Sequence, residues 1–226
     1  AAGEGDEQDT ILAADILGQF DGPTKPRALE CARILIRMYQ AETERETQVS
    51  ILYGLYHCGC SLAIPIALAC SRHDDAEFRY LSALILGMHA YDARRWISRK
   101  VIATLPELTR DPDSDVRDWA CFAFHDKKGV DSAEIRAALE ARISDSDPHV
   151  RSQAITSLAS YGDRRMIERI QLELRSDQVD PTFIHAAEES GSPELLPALE
   201  ELRSRWQGDL ESLEAAIRSC TPEQPQ

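Results

Sequence analysis

Apolar residues recur along the chain at helical spacing. Val150, Ala154, Ile155 and Leu158 form one stripe, and Met166, Ile167, Ile170 and Leu174 form a second after a break at Tyr161, Gly162 and Asp163. Ile135, Ala138, Leu139 and Ile143 repeat the second stripe, as do Leu195, Leu199, Leu202 and Trp206. Apolar stretches over 10–20, 27–39, 47–56 and 61–70 predict further helices, and 210–220 predicts a closing one. Small residues at 82, 120 and 154 (Ser82, Ala120, Ala154) leave room for a second helix to approach. Pairs of stripes separated by short turns predict helical hairpins and an all-α chain.

The hairpins repeat. The run from Val116 to Phe124 aligns without gaps with the run from Val150 to Leu158, and each follows a turn rich in Asp, Ser and Pro. A third copy begins at Phe78 and Arg79, after His73, Asp74 and Asp75. Arg79, Arg117 and Arg151 are therefore spaced by 38 and 34 residues, a period typical of helical solenoids. Acidic and hydroxyl side chains in the turns can accept the open N–H groups of the following helix.

An acidic turn, Val-Arg, a small residue, Leu, Gly-Asp and a second amphipathic helix resemble the HEAT repeat, especially its short bacterial form. The resemblance implies a right-handed α-solenoid of about five hairpins, with the best repeats at 77–110, 111–143, 144–177 and 178–206. The expected organisation is a flexible acidic N-terminus at 1–8, one repeat domain at 9–220 closed by the helix at 210–220, and a tail at 221–226. Repeats at the ends of a stack often diverge because they cap it, which suits the poor register of 9–71. The resemblance also implies that Arg79, Arg117 and Arg151 pair with turn carboxylates, for which Asp75, Asp113, Asp115, Asp145 and Asp147 are available.

Charge narrows the function. The 226 residues carry 39 acidic and 25 basic side chains, a formal charge of −14. That balance counts against general nucleic-acid binding and suits a basic protein partner. No apolar run is long enough to span a membrane, and no leader-like segment opens the sequence. Six cysteines are too sparse for a disulfide scaffold, and Cys31, Cys70 and Cys121 lie in apolar helical stretches, so a reducing, cytoplasmic setting is expected. His57, Cys58 and Cys60 crowd together, but no second pair at zinc spacing follows, so no metal or other cofactor is expected.

Catalytic patterns are poorly represented. The six histidines are scattered, outside any HExxH or Gly-x-Ser-x-Gly context. Deoxyhypusine hydroxylase, an enzyme of similar fold, holds iron through His-Glu pairs, and this sequence has no His-Glu dipeptide. One local feature stands out: within 77–110, six basic residues face three acidic ones. Its centre is Arg94, Arg95, Trp96, Arg99 and Lys100, the candidate partner-binding residues. The resemblance places such second helices on the concave face of the stack. The alternative is that Ala93, Ile97 and Val101 pack inward and the arginines are a solvated face.

A non-enzymatic protein-interaction module follows, either an adaptor or an immunity-type inhibitor. It would hold a basic protein on its concave face, as a monomer or weak homodimer. Two alternatives stay open. Alkylpurine DNA glycosylases of HEAT-like fold use Trp, Arg and Asp, which the 94–100 cluster could supply, although Glu134, Glu140, Glu168, Glu173, Glu194 and Glu200 on the expected inner helices would repel DNA. Bilin lyases also contain such repeats, which raises a lyase or chaperone-type scaffold.

Overall fold

The structure is a computed structural model that describes residues 4–19, 27–89, 95–125 and 131–222, with side chains at all of these except 4–6 and 95–98. Among the described residues it is all-α, with thirteen α-helices and two short 3-10 turns. Backbone contacts divide it into two compact units, Ala1–Ala123 and Phe124–Gln226.

In the first unit, α1 (Glu4–Gln19), α3 (Arg45–Cys58), α5 (Ala76–Met88) and α7 (Ser114–Phe122) pack side by side in one layer. Helices α2 (Ala28–Ala41), α4 (Ile64–Cys70) and α6 (Arg95–Leu108) cover it. The second unit repeats the plan. Helices α9 (Pro148–Ser160), α11 (Pro181–Ser190) and α13 (Leu210–Cys220) form its first layer, flanked by α8 (Ala133–Glu140), α10 (Arg164–Leu174) and α12 (Leu196–Arg203). Each unit is thus a stack of helical hairpins, the architecture of an α-solenoid. Helix α1 begins at Glu4, so residues assigned above to a flexible acidic N-terminus form its first turns.

Most side chains expected to face inward do so, although Ile143 and Trp206 at the ends of their stripes are only half-buried. Val150, Ala154, Ile155, Leu158, Ile170 and Leu174 are at most 1% exposed, as are Phe78, Leu81, Ile85 and Ala120. Carboxylates start the helices. Asp75, Asp113, Asp147, Asp163, Asp180 and Asp209 sit at N-caps in extended conformation, and each accepts backbone N–H groups of the first turn. Each such cap is worth about 1 kcal/mol against alanine. Glycine sets the closest approach: a Cβ on Gly54 would lie 2.8 Å from the Ala14 carbonyl oxygen, and one on Gly18 would lie 2.8 Å from the Gly54 Cα. Helices α1 and α3 therefore cross backbone to backbone.

The carboxyls of Asp75, Asp131, Asp163 and Asp209 are held below the ordinary 3.8. The leading causes are hydrogen bonds from Arg45, Arg136, Arg165 and the Ser212 hydroxyl, respectively. A value lowered by folding adds stability above the unfolded pKa, and that stability is lost as pH falls through the lowered folded value. The melting temperature should therefore hold steady on acidification to near pH 4 and drop below it. A melting temperature unchanged at pH 2 would show that these contacts contribute nothing.

Candidate functional site

The turns before four first-layer helices, α3, α5, α7 and α9, are built to one plan. Two residues before the N-cap, a side chain accepts the N-cap residue's own N–H. Glu42 accepts from Glu44 at 2.9 Å, while His73 accepts from Asp75, Asp111 from Asp113 and Asp145 from Asp147, each at 3.0 Å. Four residues after the cap, a longer donor reaches back to the carbonyl of that same turn residue. Gln48 bonds the Glu42 oxygen at 2.8 Å, Arg79 that of His73 at 2.9 Å, Arg117 that of Asp111 at 3.0 Å and Arg151 that of Asp145 at 2.8 Å. The donor closes a turn whose carbonyls would otherwise point into a crowded helix start.

This changes the roles expected of the ladder. Arg79 forks onto Asp111 of the next turn, Nε to Oδ2 at 2.7 Å and Nη2 to Oδ1 at 2.9 Å. Asp111 was not among the carboxylates assigned from the sequence. Asp113 and Asp147 spend an oxygen on the cap, accepting from residues 115 and 116 and from 149 and 150. Asp145 is buried and also accepts from Arg142 at 3.2 Å, whereas Asp115 is exposed in the first turn of α7. The α3 turn carries Glu and Gln where the α7 and α9 copies carry Asp and Arg, which hid its register in the sequence.

Between these turns and the helices lies a cavity of about 670 Å³, lined by Tyr53, Asp75, Ala76, Glu77, Tyr80, Asp113, Asp115 and Trp119. All are contributed by the first unit, from α3, α5, α7 and the two caps. Tyr80 and Trp119 meet edge to face with ring centres 6.2 Å apart. Burial foremost, then the Glu77 charge, pushes the Tyr53 phenol up; burial, then Tyr53 and Asp115, does the same to Tyr80. Both phenols stay neutral at physiological pH. Arg45 binds two of the lining carboxylates, with Nε 2.5 Å from Asp75 and Nη2 2.8 Å from Glu77. The two contacts raise the arginine pKa further, the Asp75 bond most. Neutral ring faces beside carboxylates suit a cation.

Only part of the basic cluster is described. Arg94 falls outside the described residues, and the side chains of Arg95 and Trp96 are not described, although both residues begin α6. Arg99 and Lys100 are exposed on α6, whose Val101, Leu105 and Leu108 turn inward. Neither Arg99 nor Lys100 lines the cavity. The crowded His57-Cys60 stretch is a helix end: Gly59 takes the left-handed conformation at φ 60° that terminates α3. Cys58 is buried, its Sγ 3.7 Å from the Leu17 carbonyl oxygen. Burial pushes the Cys220 thiol up to about 11, which keeps it protonated at neutral pH. No described helix is long and apolar enough to cross a membrane.

Comparison with known proteins places these features. Residues 102–190 match the HEAT-repeat family model. Protein YibA of Escherichia coli (strain K12) is 35% identical over 118 residues, 51% of this chain and 41% of the relative, and YibA of Escherichia coli O157:H7 matches equally. The match therefore spans about two fifths of these relatives' length. The X-ray structure of Escherichia coli YibA is 24% identical to the chain, with a TM-score of 0.63 over 94% of this chain and 81% of that one. An engineered protein, 18% identical, superimposes with a TM-score of 0.50 over 93% and 96% of the two chains. The family's repeats are thus matched over α7 to α11, and the same turn plan runs back from there to α3.

Proposed function

We propose that this chain is a non-enzymatic interaction module for a basic protein partner, as an adaptor or an inhibitor. The observation that carries the proposal is the cavity of the first unit, where three aromatic side chains and four carboxylates line one recess. The formal charge of −14 adds a long-range attraction for basic surfaces. Stacked hairpins present such a surface already formed, which lowers the ordering cost of binding.

Isothermal calorimetry with a peptide of alternating lysine and arginine tests this reading. We expect saturable binding that weakens as salt rises from 50 to 300 mM, and no binding of an alternating serine-glycine peptide. Absence of binding to the basic peptide at low salt would overturn the proposal. Exposed Arg99 and Lys100 favour one second reading, nucleic-acid contact through α6. It requires that single-stranded or duplex DNA be retarded at low salt and released by the paired substitutions Arg99→Ala and Lys100→Ala.

A further inference from the structure

The repeat contains its own template for what the cavity holds. Arg45 is the first residue of α3, and its guanidinium spans the N-cap carboxylate of the next first-layer helix, Asp75, and the acidic residue two positions further on, Glu77. One repeat later the same carboxylate pair recurs: Asp113 is the N-cap of α7 and Asp115 lies two positions further on. The register is secured by the shared turn plan, which aligns Glu42 with His73 and Asp111, and Gln48 with Arg79 and Arg117. The residue equivalent to Arg45 is then Ala76, the first residue of α5.

Ala76 is too short to reach across, and both it and the second carboxylate pair line the cavity. Among the described residues no ion pair involves Asp113 or Asp115, although Asp113 accepts the N–H groups of its own cap. In the same cavity stand Tyr80 and Trp119, at right angles to one another. A guanidinium is planar, forks onto paired carboxylates and stacks on aromatic faces, whereas an ammonium does only part of this.

We propose that the cavity is a receptor for one arginine side chain of the partner, held by Asp113 and Asp115 against Tyr80 and Trp119 where the preceding repeat uses its own Arg45. This deepens the basic-partner reading and rests on it. The guest arginine completes a ladder that the chain leaves open at Ala76.

The test uses the full chain labelled with nitrogen-15 and a blocked hexapeptide of glycine and serine bearing one central arginine. Matched peptides carry lysine or citrulline instead. Binding of the arginine peptide should move the Trp119 indole N–H resonance. The lysine peptide should bind at least threefold more weakly, and citrulline, which keeps the shape but not the charge, should leave the resonance in place. Ala76→Arg supplies the missing side chain from within and should reduce arginine-peptide affinity at least tenfold while the helical spectrum is retained. Asp115→Asn, at an exposed position, should weaken it about threefold. Should Ala76→Arg disturb folding, the Asp115→Asn and citrulline results decide the matter alone. Citrulline binding as well as arginine, or unchanged affinity in Ala76→Arg and Asp115→Asn, would overturn the arginine receptor. If these variants still bind the alternating lysine-arginine peptide normally, the receptor falls and the module reading stands. If the wild-type chain binds neither peptide, the module reading falls with it.

Discussion

Asp111→Ala is expected to destabilise the first unit by roughly 2–4 kcal/mol, as an ionic partner is removed from a largely buried arginine. The Arg79 side chain is 13% exposed and that of Asp111 6%, and two hydrogen bonds form a fork between them. Removing the carboxylate leaves a guanidinium still fixed by the carbonyls of His73 and Asp74 at 2.9 and 2.8 Å, with Nε and Nη2 facing a space with little access to water. The Asp113 N–H loses its acceptor at the same time, so the turn that starts α7 loosens too. The surviving carbonyl bonds keep the expected loss below that of a fully orphaned buried charge. Urea denaturation followed by circular dichroism measures it. Glu107→Ala is the control, because its bond to Arg110 joins side chains 71% and 55% exposed, and such pairs contribute about 0.5 kcal/mol or less. Equal losses in the two variants would show that the Arg79–Asp111 fork is no more than a surface pair.

Much of this fold is legible in the chain because each repeat writes its chemistry locally. A stripe such as Val150, Ala154, Ile155 and Leu158 needs only helical spacing, and Asp147 before Pro148 needs only cap chemistry. Where side chains of the same function replace one another, the pattern fades. Glu42 and Gln48 do the work of Asp111 and Arg117, and His73 accepts the same N–H through Nδ1, yet none matches by residue type. The identity of the Arg79 partner depended on the turn, because Asp111 and Asp113 lie two residues apart and only geometry assigns one to the fork and the other to the cap.

The cavity was hidden for a different reason. Tyr53, Ala76, Asp115 and Trp119 come from three helices, and each alone reads as an ordinary surface or boundary residue. The basic 94–100 cluster drew attention because it is contiguous, which is a property of sequence and not of surfaces. One signal was available in principle. Once the α3 turn is aligned by its cap, Arg45 falls opposite Asp75 and Glu77, and Ala76 falls opposite Asp113 and Asp115. That alignment needed the Glu42 and Gln48 equivalence first.

The same logic that makes the repeats readable makes their small positions intolerant, and Ala154→Asp is expected to unfold the Phe124–Gln226 unit. Ala154 is 0% exposed on α9, whose neighbours α8, α10 and α11 pack around it, and Ile155 and Leu158 beside it are equally enclosed. A carboxylate there meets neither water nor a cation, and an uncompensated buried charge costs several kcal/mol, enough to exceed the stability of a unit this size. Loss of cooperative melting in circular dichroism, with binding of a hydrophobic dye, is the expected readout. Ala154→Ser separates charge from size. The equivalent Ser82 is 1% exposed and satisfies its hydroxyl on the Ala67 carbonyl at 2.8 Å, so serine at 154 should cost only about 1 kcal/mol. The pH dependence follows from sign. Burial raises the pKa of the new carboxyl above its unfolded value of about 3.9, so the penalty is full near neutrality and shrinks as pH falls through the raised value. Partial recovery of helix at mildly acidic pH, absent in Ala154→Ser, would identify the buried charge as the cause. A folded Ala154→Asp unit at pH 7 would mean that residue 154 does not lie at the contact between layers.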